Sequence, residues 1–190
     1  RGALVNFDRP TCNTPLMIAA TADDVELTRF LLAKGADINA VSQYGDTALH
    51  LSCLAADDGN FSDVPGEETL LLKSGAKINA VNANGDTPLH CLMSRCWRTS
   101  DSRPLPAPLV EGVATLLGAG ADRQLKDKAC FTPQGIVFLF VNSRLKVSLQ
   151  VQRKLFALLP AFNPDDVSFE TSAKFIDKKP GEIAVSGTVV

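Results

Sequence analysis

Apolar residues fall at helical spacing most clearly near the start of the chain. Val25, Thr28, Leu31 and Leu32 lie at i, i+3, i+6 and i+7, which predicts a helix with one buried stripe. A Leu-Leu pair recurs at 31–32, 71–72 and 116–117, and each pair is followed by a glycine: Gly35, Gly75 and Gly120. A glycine there suits a left-handed helix C-cap. Small and apolar runs, Leu16–Ala20 and Leu49–Cys53, predict a shorter helix ahead of each such segment. Thr47 and Thr87 are placed to cap these first helices, and Pro15, Pro88 and Pro133 fit a first turn, where a missing N–H costs nothing. Between a Leu-Leu-x-x-Gly end and the next Thr, the chain is expected to swing out as a finger. It returns through Gly45 or Gly85 at a position that tolerates positive φ.

The pattern belongs to a repeated phrase. Gly35-Ala36-Asp37-Ile38-Asn39-Ala40 followed by Tyr44-Gly45-Asp46-Thr47-Ala48-Leu49-His50 returns as Gly75-Ala76-Lys77-Ile78-Asn79-Ala80 and Asn84-Gly85-Asp86-Thr87-Pro88-Leu89-His90. A worn copy reads Gly120-Ala121-Asp122, then Phe131-Thr132-Pro133-Gln134, and a fragment opens the chain with Gly2-Ala3-Leu4-Val5-Asn6 before Thr14-Pro15-Leu16-Met17. The threonines at 14, 47, 87 and 132 are spaced 33, 40 and 45 residues apart, one period of 33 with inserts of 7 and 12. A 33-residue period carrying Thr-Pro-Leu-His resembles the ankyrin repeat, and phrase and period agree independently. The resemblance covers roughly residues 1–160. It implies an all-α solenoid of stacked helix-turn-helix units with β-hairpin fingers.

The expected organisation is a half-unit at 1–13, units starting at 14, 47 and 87, and a degenerate capping unit at 132–162, since terminal repeats are atypical. Residues 163–190 are polar and without period, and read as a tail. The inserts, near Asp57–Pro65 and Trp97–Pro108, are rich in turn formers and expected as surface loops. Glu67 and Glu68 stand where the family has apolar residues, so that helix is expected to start late, with both in a first turn favoured by its dipole. Cys12 and Cys130 replace the finger glycine in the first and last units. The chain begins inside a repeat phrase, which reads as a piece of something longer.

Composition narrows the function. A net charge of −2, from 19 basic and 21 acidic residues, gives no general pull toward nucleic acid or anionic membrane. Five scattered cysteines, at 12, 53, 91, 96 and 130, favour reduced thiols in a cytoplasmic or nuclear compartment. No stretch of 18 apolar residues exists; the run Ile136–Val141 is cut by Asn142, Ser143 and Arg144.

Candidate chemistry is sparse. The two histidines, His50 and His90, share one repeat position, and the resemblance implies a structural role for each within its Thr-x-x-His turn and toward the neighbouring unit. His90, Cys91 and Cys96 lie close together, but no second ligand pair follows at zinc-finger spacing. No phosphate loop, dinucleotide fingerprint or H-E-x-x-H occurs. The pairs Asp57-Asp58 and Asp165-Asp166 read as solvated charge. No catalytic residue, metal or cofactor is expected.

The reading is therefore a non-enzymatic protein–protein interaction module: an adaptor, scaffold or inhibitor, expected as a monomer. Its alternatives are the targeting module of a larger enzyme or a substrate receptor of a ubiquitin ligase. The resemblance places binding on the concave side, on the finger tips and the outer side of each first helix. The finger residues are Val41, Gln43, Tyr44 and Asp46, then Val81, Ala83, Asn84 and Asp86, then Lys126, Lys128, Ala129 and Phe131. The first-helix positions are Thr21 and Ala22, Leu54 and Ala55, Ser94 and Arg95. One end offers Tyr44 with Asp46 and Asp86; the other offers Arg95, Lys126, Lys128 and Phe131. Trp97, alone in its insert, is a separate candidate anchor.

Overall fold

A computed structural model describes residues 5–6, 13–54, 66–94, 107–133 and 135–136. Within these residues six helices form three pairs: α1 (Pro15–Thr21) with α2 (Val25–Ala33), α3 (Ala48–Leu54) with α4 (Gly66–Lys73), and α5 (Pro88–Ser94) with α6 (Ala107–Gly118). First helices stack on first helices, α1 on α3 on α5, and second helices do the same, α2 on α4 on α6. Among the described residues there is no strand. The architecture is the expected all-α array of helix-turn-helix units.

The repeated leucines build the core. Leu16, Leu49 and Leu89 occupy one position of the first helices, and each is at most 1% exposed. Leu31, Leu71 and Leu116 form the matching row in the second helices. No unit could bury these faces alone; stacking makes one continuous apolar interior. Ile18 on α1 is 59% exposed, while its counterparts are half-buried (Leu51) and buried (Cys91).

Each second helix ends in the same way. Gly35, Gly75 and Gly120 adopt positive φ, and the following alanine N–H (Ala36, Ala76, Ala121) reaches back to the carbonyl of Leu31, Leu71 or Leu116 at 2.9–3.0 Å. This is the left-handed cap that the Leu-Leu-x-x-Gly phrase predicted. An asparagine four residues past Gly35 and past Gly75 joins one unit to the next; Gln124 stands in that place after Gly120. Asn39 Oδ1 accepts from the Lys77 N–H and Asn79 Oδ1 from the Asp122 N–H, each at 2.9 Å. Asn6 does the same for the Asp37 N–H at 2.9 Å.

The two glutamates of α4 lie in its first turn, as expected, but both are buried. Glu67 is fully covered between α2 and α4, where Thr28 Oγ1 donates to its Oε1 at 2.6 Å. Among the described residues its Oε2 has no hydrogen-bond partner. Burial pushes its carboxyl up to about 7, and the charges of Asp23, Glu68 and Asp24 push the same way against the Thr28 bond.

Most of the inserts, the capping unit and the tail fall outside the described residues. Ala107 and Pro108, assigned to the second insert, already belong to the backbone of α6. Of the unit from 132, the first turn is described: Thr132 Oγ1 accepts from the Gly135 N–H at 3.1 Å, and the Ile136 N–H reaches the Thr132 carbonyl at 3.1 Å.

Candidate functional site

Each finger is a single tight turn closed across its base. The N–H of Ser42 reaches the Asp46 carbonyl at 2.9 Å, Asn82 the Asp86 carbonyl at 3.0 Å, and Asp127 the Phe131 carbonyl at 2.9 Å. The hairpin shape is thus present without a strand ladder. A side chain completes every turn: Ser42 Oγ, Asn82 Oδ1 and Asp127 Oδ1 accept from the backbone N–H four residues on, at 2.8–3.2 Å. Short side-chain acceptors favour turns for this reason.

The fingers are also tied to one another. The Ala83 N–H donates to the Tyr44 carbonyl at 2.8 Å, and the Lys128 N–H to the Asn84 carbonyl at 2.9 Å. This approach explains the finger glycines. A Cβ on Gly45 would lie 3.0 Å from the Ala83 nitrogen, and one on Gly85 would lie 2.9 Å from the Lys128 nitrogen. Both glycines also hold positive φ, 77° and 81°. Cys130 adopts the same conformation, φ 66°, and keeps the turn, its N–H bonding the Asp127 carbonyl at 3.0 Å. The last finger therefore forms with a residue poorly suited to it.

The histidines anchor fingers to first helices. His50 Nδ1 accepts from the Thr47 N–H at 3.1 Å, which leaves the proton on Nε2 to donate to the Asp86 carbonyl at 3.1 Å. His90 Nδ1 accepts from the Thr87 N–H at 3.1 Å and its Nε2 donates to the Phe131 carbonyl at 3.0 Å. Burial, the largest influence, holds the His50 pKa below its ordinary value. In the first unit Met17 takes the histidine position, its Sδ accepting from the Thr14 N–H at 3.4 Å, and has no donor to reach a finger. Because both nitrogens of each ring are occupied, neither histidine is free to act as a base. Burial also pushes the Cys91 thiol up, and the charges of Asp86 and Asp46 add to the effect, so this sulfur stays protonated.

Between the finger row and the first helices lies a cleft of about 270 Å³. Tyr44, Ala83 and Asn84 from the fingers meet Leu54 of α3 and Ser94 of α5 at its rim, with Asp46, Asn82 and Asp86 beneath. His90 and Cys91 complete the wall. Tyr44 is 64% exposed. The sequence thus named five of the finger residues that the cleft brings together, and two of the helix positions. Asn82 escaped notice, although its short polar side chain at the turn start was a signal for a turn acceptor.

The remaining candidates separate. Val41, Gln43, Val81, Lys126 and Lys128 are exposed on the fingers but do not line the cleft. Thr21 and Ala22 are exposed on the first unit. Arg95, Trp97 and Ala55 lie outside the described residues. Phe131 is a correction. It is 9% exposed and cannot serve as a surface anchor. It holds the finger position of Asp46 and Asp86, which faces inward in all three units: Asp46 is 8% exposed and Asp86 half-buried.

Among the described residues no group of three or more His, Cys, Asp or Glu is placed to hold a metal ion. No described helix is long and apolar enough to cross a membrane. A family model for ankyrin repeats, spanning three copies, matches residues 2–65. No curated protein matches the chain.

Proposed function

We propose that this ankyrin-repeat protein recognises a partner protein in the cleft between its finger row and its first helices. Ankyrin repeats are generic protein–protein interaction modules and typically non-enzymatic. The observation that carries the assignment to this face is the cleft itself. Its rim is set by backbone bonds between fingers and by histidine bonds from helix to finger, so the surface is preorganised. On that rim a large aromatic, Tyr44, stands exposed beside polar groups at Asn84 and Ser94. Exposed aromatics over a rigid polar frame are typical interface anchors. In this reading the chain acts as a monomeric adaptor, scaffold or inhibitor in the cytoplasm or nucleus.

The test is capture from cell extract on the native chain and on a variant carrying Tyr44→Ala and Ser94→Arg. Neither residue is buried, so circular dichroism should show two equally folded baits. A protein retained by the native chain and lost from the variant supports docking in the cleft. A protein retained equally by both moves the site elsewhere.

A further inference from the structure

Among the described residues, the cleft holds a carboxylate without a donor. Asp46 and Asp86 hold the same place in successive fingers, but their carboxylates are treated differently. Asn82 Nδ2 donates to Asp46 Oδ1 at 2.8 Å, from the next finger back. The residue in the place of Asn82 on the third finger is Asp127, which has no amide to donate. The backbone of Asp86 is fully engaged: its N–H donates to Asn82 Oδ1 at 3.0 Å, and its carbonyl accepts from Asn82 and His50. Its carboxylate has no donor among the described residues.

The surroundings select a cation. Among the described residues no lysine or arginine lines the cleft. Asp46 and Asp86 both add negative potential there. At about 270 Å³ the space falls at or below the usual lower limit for a drug-sized ligand, roughly 300 Å³, but it has room for one long side chain. Tyr44, Leu54 and Ala83 supply apolar surface for an aliphatic stem, and an exposed tyrosine ring attracts a cationic head. We propose that the cleft seats one lysine or arginine side chain of an extended partner segment, its charge meeting the Asp86 carboxylate and its stem lying against Tyr44.

This inference rests on the docking role proposed for the cleft, and the test separates the two. A random dodecapeptide library displayed on phage is selected against the full 190-residue chain. The retained peptides are then measured against Tyr44→Ala, Asp86→Asn and Ser94→Arg variants, each checked by thermal melting. The expected result is enrichment of Lys or Arg, with affinity about tenfold weaker or more for Asp86→Asn. Replacing the enriched Lys or Arg in the peptide by norleucine should give the same loss and requires no change to the protein. Peptides that lose affinity with Tyr44→Ala and Ser94→Arg, yet carry no enriched cation and ignore Asp86→Asn, overturn the inference and leave the docking role standing. Enrichment of Asp or Glu overturns it equally. Peptides indifferent to all three variants, or no retained peptide, contradict both.

Discussion

Asn82 Nδ2 donates to Asp46 Oδ1 at 2.8 Å, and this bond fastens the second finger to the first. The next junction lacks it, because Asp127 stands where Asn82 would and faces a second carboxylate at Asp86. Burial, the largest influence, raises the Asp127 carboxyl above its ordinary value, and the Asp86 charge adds to the effect. Asp127→Asn should restore the donor while keeping the acceptor for the Phe131 N–H. The expected gain is about 1 kcal/mol, read from urea denaturation at pH 7. A loss of stability would show that the two junctions are not equivalent.

The finger glycines should be the least replaceable residues on the surface. Gly85→Ala puts a Cβ at positive φ and 2.9 Å from the Lys128 nitrogen, so it should cost about 2 kcal/mol or more. Cys130→Gly relieves the same backbone conformation and should gain about 1 kcal/mol. Thermal melts of both variants check the pair; a neutral Gly85→Ala would refute the close approach of the second and third fingers.

Glu67 makes stability depend on pH. Its carboxyl is at about 7 in the folded chain against an ordinary 4.5, so between these values the folded state holds a proton that the unfolded state releases. Stability is therefore fully present below 4.5 and falls as pH rises through about 7. Glu67→Gln keeps an acceptor for Thr28 without the charge. Its stability relative to the native chain should rise by on the order of 3 kcal/mol between pH 4.5 and pH 8. His50 works in the other direction. Its lowered pKa means that the unfolded chain takes up a proton first below 6.5, and stability drops as the solution becomes more acid. A native-to-Gln difference that is constant with pH would show that Glu67 does not titrate in this range.

Burial at a first-helix position should decide the cost of truncating it. Leu89→Ala empties a site that is 1% exposed and should cost about 2–5 kcal/mol. Ile18→Ala, at a site 59% exposed on α1, should cost less than about 1 kcal/mol. Chemical denaturation of the two variants measures the contrast, and equal costs would mean that Ile18 is covered in solution.

Much of this was legible in the chain. The Leu-Leu-x-x-Gly ends, the Thr-x-x-His turns and the finger glycines are local devices, and each leaves a residue at a fixed offset. What the sequence hid depends on neighbours far along it. Thr28 meets Glu67 only because α2 stacks on α4, so a carboxylate expected to enjoy a helix dipole is instead buried, with its carboxyl pushed up to about 7. Phe131 read as an anchor because a finger turn is too short to show a hydrophobic period, and nothing local marks its position as inward. Asn82 was overlooked because its partner, Asp46, lies one whole unit away.

The most direct test of the docking site is hydrogen–deuterium exchange of the chain with and without a partner captured as described above. Added protection is expected at residues 43–46, 82–86 and 91–94, the finger and first-helix segments around the cleft. Protection confined to α2, α4 and α6, with those segments unchanged, would contradict it.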